Sequence, residues 1–387
     1  MHKIRVLSME KKKEMNAFAV VFVFFLYSLT TLPGLYVNQG LLTMGLAVLV
    51  FFPILAKNLF SRVTKANMTA ICIELFMLIV LLLEYLVYDN YSKAIQESGI
   101  YLLSIGSIGL LVGSFEFDYR YCYKYGQILA YVCFVTSALF LWLTPYKFLM
   151  SMRFGYAMLP SVLWFLLVFI EKKSRFDLLL FLAGLFTLVA WGSRGTLLVV
   201  LIFLLLYLLK ERKKLFAALV IVTIPLLTVL RNYVLELLDA ISDLTHARKI
   251  NKLIIMLDDD EEIDTSSGRD AIYDHCIDLI QLNPFGNGVG FWTKDPVMHG
   301  LFPHNVFLHV GTEFGIIGMA VLVIVLIYAM KKMFDFKGSF FYLLVFFFSI
   351  MFGRLMVSSM YWARPEFWFF IGLFLCNRMM KREAIVF

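Results

Sequence analysis

Three residues of this chain have the type and surroundings to handle an anion and a proton. Arg194 stands in Trp191-Gly192-Ser193-Arg194-Gly195-Thr196, a short link between two strongly apolar runs. A guanidinium beside hydrocarbon costs about 2.5–3.5 kcal/mol at mid-membrane on insertion scales, and less near the interface. Arg269 follows Ser267-Gly268 where a helical pattern begins, with Ser267 as the expected N-cap and Asp270 three residues further on. That is a capping-box pattern, and it holds Arg269 in a first turn instead of a free loop. His304 lies in Pro303-His304-Asn305 at the mouth of another apolar run. An imidazole with its ordinary pKa near 6.5 can take a proton at neutral pH. Each residue has a plainer alternative: Arg194 snorkelling to lipid headgroups, Arg269 pairing with acidic residues upstream, His304 touching a headgroup.

The elements that must position these residues are read from composition. Of 387 residues, 61% are hydrophobic and 16% charged, and the mean hydropathy is +0.82. Soluble domains run at roughly 45–50% apolar and about 25% charged, so an ordinary soluble globule is excluded. The apolar runs suit membrane helices, and no alternation of about ten residues suggests a β-barrel. About twelve transmembrane helices are expected, near 15–32, 41–56, 69–87, 99–115, 127–143, 155–170, 176–191, 196–209, 215–230, 306–330, 339–353 and 366–376. The expected organisation is nine N-terminal spans in 1–230, one large external loop in 231–303, and three spans with a short tail in 304–387. The first span follows Lys11-Lys12-Lys13 but ends without a small-x-small cleavage site, so it is expected to be retained.

The formal charge of +7 reads as topology. Alternate connections are basic, as at Lys172-Lys173, Lys210 to Lys214, Lys331-Lys332 and Arg378 to Arg382. The positive-inside rule then puts these connections and both termini in the cytoplasm and the long loop outside. No motif for nucleic acid accompanies the charge. The external side, which should be poor in cations, nevertheless carries Lys147, Arg153, Arg194, Arg354 and Arg364. Several arginines in one place repel unless an anion lies between them, so a shared anionic ligand is expected. Glu74 and Glu84 sit within the third span, where carboxylates serve either as proton or cation sites or as partners of a cation on another helix. The five cysteines show no C-x-x-C, and only Cys276 falls in the loop, so no internal disulfide is expected there.

Within the loop, an amphipathic helix is expected from Val234 to Leu244, ending in Arg248, Lys249 and Lys252. The run Asp258 to Glu262 reads as a solvated turn or, alternatively, as a divalent-metal site. A second helix puts Asp270, Asp274 and Asp278 on one face and Ile272, Cys276 and Leu279 largely on the other, and Asn283-Pro284 stops it. Gly286, Gly288 and Gly290 mark a chain reversal that lets backbone approach another segment or a ligand. No strand precedes them, so they are not a dinucleotide-binding loop. His299, His304 and His309 are five apart, which does not set them on one helix face as metal ligands. No metal and no cofactor are expected.

Gly-Ser-Arg-Gly closing a span resembles one signature of the O-antigen ligase and polymerase superfamily of bacterial envelope enzymes. So do Ser267-Gly268-Arg269 with its helix, Asn283-Pro284 with the three glycines, and Pro303-His304-Asn305 followed by Glu313 to Gly318. These motifs cover about Trp191 to Gly318, and the first half agrees only in hydropathy and span number. The resemblance implies a GT-C-like membrane glycosyltransferase of the bacterial inner membrane, its loop periplasmic, using a saccharide on undecaprenyl diphosphate without a metal. It implies that Arg194 and Arg269 bind the donor diphosphate and that His304 is the base for the acceptor hydroxyl. Lys147, Arg153, Arg354 and Arg364 are substrate-binding candidates on position alone, and Asn305 is expected to orient His304 or hold a sugar hydroxyl. A polymerase acting on two lipid-linked substrates is the expected member, with a ligase to lipid A–core as the alternative. A chain-length regulator and a flippase are the partners this implies. A lipid-linked oligosaccharide flippase is the competing class, although transporters usually show paired halves and none are visible here.

Overall fold

A computed structural model describes residues 2–31, 37–61, 63–87, 91–143, 152–218, 269–298 and 300–377. Among them every regular element is helical. The principal helices are α1 (His2–Thr31), α2 (Gln39–Ser61), α3 (Lys65–Val87), α4 (Ser92–Tyr101), α5 (Ser107–Ser114), α6 (Tyr119–Leu143) and α7 (Met152–Lys172). They continue as α8 (Arg175–Trp191), α9 (Arg194–Glu211), α10 (Arg269–Leu282), α11 (Val306–Asp335), α12 (Gly338–Val357) and α13 (Pro365–Ile371). A π-helical turn, Leu102–Gly106, joins α4 to α5, and another, Gly372–Cys376, extends α13. The chain is thus an all-α polytopic membrane protein.

Eleven of the twelve expected spans fall within these helices, while the ninth, 215–230, lies mostly outside the described residues. Seven helices are long and apolar enough to cross a membrane: Met9–Thr31, Gln39–Phe60, Lys65–Val87, Ser92–Ser114, Met152–Lys172, Val306–Asp335 and Gly338–Val357. The length shortfall is clearest at α13, whose 7 residues are extended by only 5 more in the π-helical turn, and α8 has 17. At α9, an 18-residue helix, Arg194 at one end and Lys210 and Glu211 at the other shorten the apolar run. The expected loop helix 234–244, the acidic run 258–262 and the Ser267 cap lie outside the described residues.

Burial separates core from periphery. Only 17% of the most apolar stretch of α2 and 11% of that of α3 is buried, against 89% for α7. Leu75, Phe76, Leu82 and Leu86 of α3 are exposed, as lipid-facing side chains are. The interior is aromatic. Trp164 of α7 meets Phe346 of α12 edge to face at 4.9 Å, and Phe24 of α1 stacks on Phe347 at 4.4 Å. Lipid is as apolar as leucine, so such packing, not exclusion from water, holds membrane helices together.

A close backbone approach joins α5 to α13 and the π-helical turn after it. A Cβ on Gly109 would lie 2.3 Å from the Pro365 carbonyl oxygen, one on Gly113 2.2 Å from that of Phe369, and one on Gly372 2.2 Å from that of Leu110. Backbone touches backbone on both sides of this contact, which fixes where α13 begins. That start carries Arg364 and Glu366.

Four helices share a charge polarity. In α7, α9 and α12, Arg153, Arg194 and Arg354 stand at one end, and Lys172, Lys210 and Lys337 at or just beyond the other. In α11, His304 precedes the first residue and Lys332 lies in the last turn. One end of the bundle therefore gathers the arginines and the histidine. The opposite end is tied by Lys124 to Glu14 at 3.1 Å, by the Tyr123 hydroxyl to the Ser339 carbonyl at 2.7 Å, and by the Ser339 hydroxyl to Glu171 at 2.5 Å.

Gly113→Leu should lower stability by about 1–3 kcal/mol or more, because a backbone carbonyl cannot step aside as a side chain can. A reduced melting midpoint in detergent is the check, and Leu111→Ile, a volume-conserving change nearby, should leave it nearly unchanged.

Candidate active site

The site is built where the ends of α1, α7 and α12 meet the turn before α13. A cavity of about 160 Å³ is lined there by Tyr27, Met152, Arg153, Tyr156, Arg354, Ser358 and Arg364. Three of the five unexpected cations thus share one space. Arg354 is fully buried and donates from Nη1 to Glu366 Oε1 at 2.5 Å and from Nη2 to the Tyr156 carbonyl at 2.8 Å. Its guanidinium lies 4.9 Å from the centre of the Tyr27 ring, and that of Arg364 lies 5.6 Å from the same ring. Burial, then repulsion from Arg354, lowers the Arg364 pKa. Arg153 is exposed at the rim. The one carboxylate among these groups, Glu366, already binds Arg354. Arg354 Nε, Arg364 Nε and the Tyr156 hydroxyl are buried without a hydrogen-bond partner among the described residues. Excess positive charge beside buried donors suits an anion, since guanidinium forks match phosphate oxygens.

Arg194 adjoins this space. It is exposed and opens α9. A Cβ on Gly195 would lie 2.3 Å from the Tyr156 hydroxyl, and one on Gly155 3.0 Å from the Ser193 nitrogen. The two glycines let the turn carrying Arg194 press against the wall of the cavity. Lys147 lies outside the described residues.

The second cluster surrounds His304. Arg269 is the first described residue of its segment and the first of α10, which packs Ile272 and Cys276 against Phe291 and Met298. His275 Nε2 bonds Asp295 at 2.9 Å. Burial would raise Asp295, but hydrogen bonds from His275 and from the Met298 and Val297 N–H groups outweigh it and hold the carboxyl below its usual range. His304 is half-buried, edge-on to Phe302 at 4.7 Å, and its Nδ1 is buried without a partner among the described residues. Burial first, then the Arg269 guanidinium, then His309, push its pKa down to about 4. It is therefore unprotonated at neutral pH, the state a base needs. Asn305 acts on the backbone. Its Oδ1 accepts from Phe307 N–H at 2.9 Å and Leu308 N–H at 3.4 Å, capping α11.

The glycines at 286, 288 and 290 all have positive φ, and they bring backbone against α11. That helix breaks at Gly315, where φ is 68°. The N–H of Asn287 bonds the Thr312 carbonyl at 2.8 Å, that of Gly288 the Glu313 carbonyl at 3.2 Å, and that of Ile316 the Pro284 carbonyl at 2.9 Å. Of the two readings of these glycines, a close approach to another segment is what the geometry contains.

Glu313 is a site residue that its sequence context alone did not single out. It is 1% exposed. Oε1 accepts from Gly290 N–H at 3.1 Å and faces His309 Nε2 at 3.2 Å, while Oε2 accepts from the Tyr361 hydroxyl at 2.5 Å and Trp362 Nε1 at 3.2 Å. A carboxylate inside an apolar span was the available signal, the same one that singled out Glu74 and Glu84. Those two bond polar groups: Glu74 accepts from the Ser107 hydroxyl, and Glu84 from Val289 N–H at 3.2 Å. Among the described residues, no group of three or more His, Cys, Asp and Glu could hold a metal ion.

An all-helical membrane bundle with an arginine-lined cavity and a neutral histidine at one end is suited to handling an anionic substrate. A family model described as O-antigen ligase matches residues 179–323. Across that stretch the chain is similar to the O-antigen ligase family, which supports the O-antigen polymerase and ligase superfamily and a glycosyltransferase-like enzymatic role. The match contains Arg194, Arg269, His304, Asn305 and Glu313, whereas Lys147, Arg153, Arg354 and Arg364 lie outside it. No curated protein matches the chain.

The sign of the His304 shift is testable. Its folded pKa lies below the ordinary 6.5, so this group's contribution to stability is fully present above 6.5 and is lost as pH falls towards 4. Arg269→Gln removes the second cause of the shift. The pH dependence of diethyl pyrocarbonate modification at His304, followed by mass spectrometry, should then move to higher pH. An unmoved profile would show that the two groups do not act on each other.

Proposed function

We propose that the protein is an O-antigen or related surface-polysaccharide polymerase of the bacterial inner membrane. It transfers a glycan chain from undecaprenyl diphosphate to the non-reducing end of a second lipid-linked repeat, with inversion and without a metal. The observation that carries this reading is the placement of the arginine cavity and the unprotonated His304 at the same end of the bundle. The family match supports the coarser class.

The chemistry follows from the groups. A diphosphate leaves readily, so no acid is needed at the leaving oxygen. Negative charge grows on that oxygen as the bond to the anomeric carbon breaks, and fixed arginines stabilise it with charge-assisted hydrogen bonds. Arg153, Arg194, Arg364 and Arg269 are assigned to that role, and Arg354, paired with Glu366, forms the wall beside them. The acceptor hydroxyl is a poor nucleophile until its proton goes to His304, and its oxygen then forms the new bond from the face opposite the diphosphate. An anion against Arg269 cancels part of the repulsion that depresses His304. The base is then stronger with donor bound than without it.

The second reading is the ligase, which moves the chain to a lipid A–core sugar. It is favoured by the family description itself. The same cavity and base serve both, because they differ only in the acceptor.

Purified protein incubated with synthetic undecaprenyl diphosphate-linked repeats and EDTA should give a ladder of lengthening chains. His304→Ala should lower turnover by about 10²- to 10⁴-fold. Arg364→Gln should raise the donor KM by roughly 10- to 100-fold, the worth of one lost charge-assisted hydrogen bond. Product formed only after lipid A–core is added would replace polymerase with ligase. A folded protein that makes neither product from its own repeat unit would end the transferase reading.

A further inference from the structure

The Glu313 carboxylate has four acceptor positions, and four donors surround it. They come from three separate places: Gly290 from the glycine-bearing segment, His309 from the first turns of α11, and Tyr361 and Trp362 from the short turn 361–363. Two of these places lead to a candidate site residue. The ring of His309 stacks on Phe302 at 5.8 Å, and Phe302 meets His304 edge-on at 4.7 Å. His309 also meets Tyr361 at 5.0 Å. Trp362 is two residues from Arg364 of the cavity. Gly290 follows Val289, whose N–H bonds Glu84, so two carboxylates hold adjacent backbone groups of that segment.

A bundle that needed only to pack would not require this carboxylate. An apolar side chain of similar volume is often as stable as a buried charge, whereas removing one partner from such a network is costly. The donors around Glu313 are arranged to fix orientation. With Glu313 accepting, Nε2 of His309 carries a proton, and this bond sets the plane of the ring. Phe302 lies between the two imidazoles, so the plane of His309 sets the surface against which His304 rests.

We propose that Glu313 is the positioning residue of this site. It orients His304 through His309 and Phe302, while Tyr361 and Trp362 complete the donor set that holds its carboxylate in place. Its importance for turnover rests on the transfer reading above. Its effect on the geometry of His304 does not.

Glu313→Gln keeps the shape but replaces one acceptor oxygen with a donor facing other donors. The variant is first shown to be folded by size exclusion and melting in detergent. If it does not fold, Tyr361→Phe, which keeps the carboxylate and removes one donor, takes its place. The expected results are a change of about threefold or more in the rate of His304 modification by diethyl pyrocarbonate, and a fall in kcat of roughly 10- to 100-fold, the scale of a small misplacement of reacting groups. The donor KM should stay within about twofold. In a His304→Ala background the same substitution should cost nothing more, because it acts through His304. A folded variant with unchanged His304 reactivity and unchanged kcat overturns the proposal. So does an equal loss in the His304→Ala background. If the wild type transfers no glycan while Glu313→Gln still alters His304 reactivity, the transfer reading fails and the positioning role stands.

Discussion

A helix that breaks inside hydrocarbon must find donors for the carbonyls it releases, because no water is there to supply them. The helix α11 breaks at Gly315, and the donors come from the segment 284–288. Both partners of this contact need glycine. A Cβ on Gly315 would lie 2.1 Å from the Pro284 carbonyl oxygen, and one on Gly286 2.2 Å from that of Glu313. The contact therefore satisfies the backbone and anchors the described part of the extra-helical segment to the bundle. Gly290 and its hydrogen bond to Glu313 follow within one turn of chain, and α10, with Arg269, precedes it directly. A polar segment that has to hold an arginine near a histidine at the start of a membrane helix needs such an anchor.

The charges obey the same limit. Buried ions persist only when paired and hydrogen-bonded. Arg354 has Glu366 and the Tyr156 carbonyl, and two tyrosine rings lie beside its guanidinium. Arg364 lies against the same Tyr27 ring and, among the described residues, has no ion pair of its own. The cavity is thus made of one compensated cation and further cations that are not compensated to the same degree. That asymmetry separates an anion site from a structural ion pair: Arg354 with Glu366 builds the wall, and the remaining positive charge faces the space it encloses.

Much of this was legible in the sequence, for identifiable reasons. Long apolar runs fix the positions of helices whatever their packing, so eleven expected spans coincide with described helices. Charge at the wrong end of a span has no packing use, so Arg153, Arg354 and Arg364 could be singled out without a structure, although not their meeting in one cavity. That meeting depends on the Gly109 and Gly113 contact with α13, a pairing between residues far apart in the chain for which periodicity carries no signal. Asn305 was legible as a polar residue beside His304, but its capping bond could be seen only once the start of α11 was located. Glu313 was hidden because its significance lies in its partners. Gly290, Tyr361 and Trp362 give no sign in sequence of converging on one carboxylate.

The distance between an anion site and a base is what glycosyl transfer would ask this architecture to keep constant. Here the two are linked by very little chain. The turn 361–363 separates Ser358 of the cavity from Arg364 of the same cavity, and midway it hands Tyr361 and Trp362 to Glu313. Both ends of this turn are gripped: α12 ends at Val357, whose side chain packs on Gly195 beside Arg194, and α13 begins on the backbone contact with α5. A three-residue turn fixed at both ends and bonded at its centre cannot shift one cluster without the other. The arginine cavity and the histidine cluster, separate in the sequence, are in this fold two faces of one rigid connection.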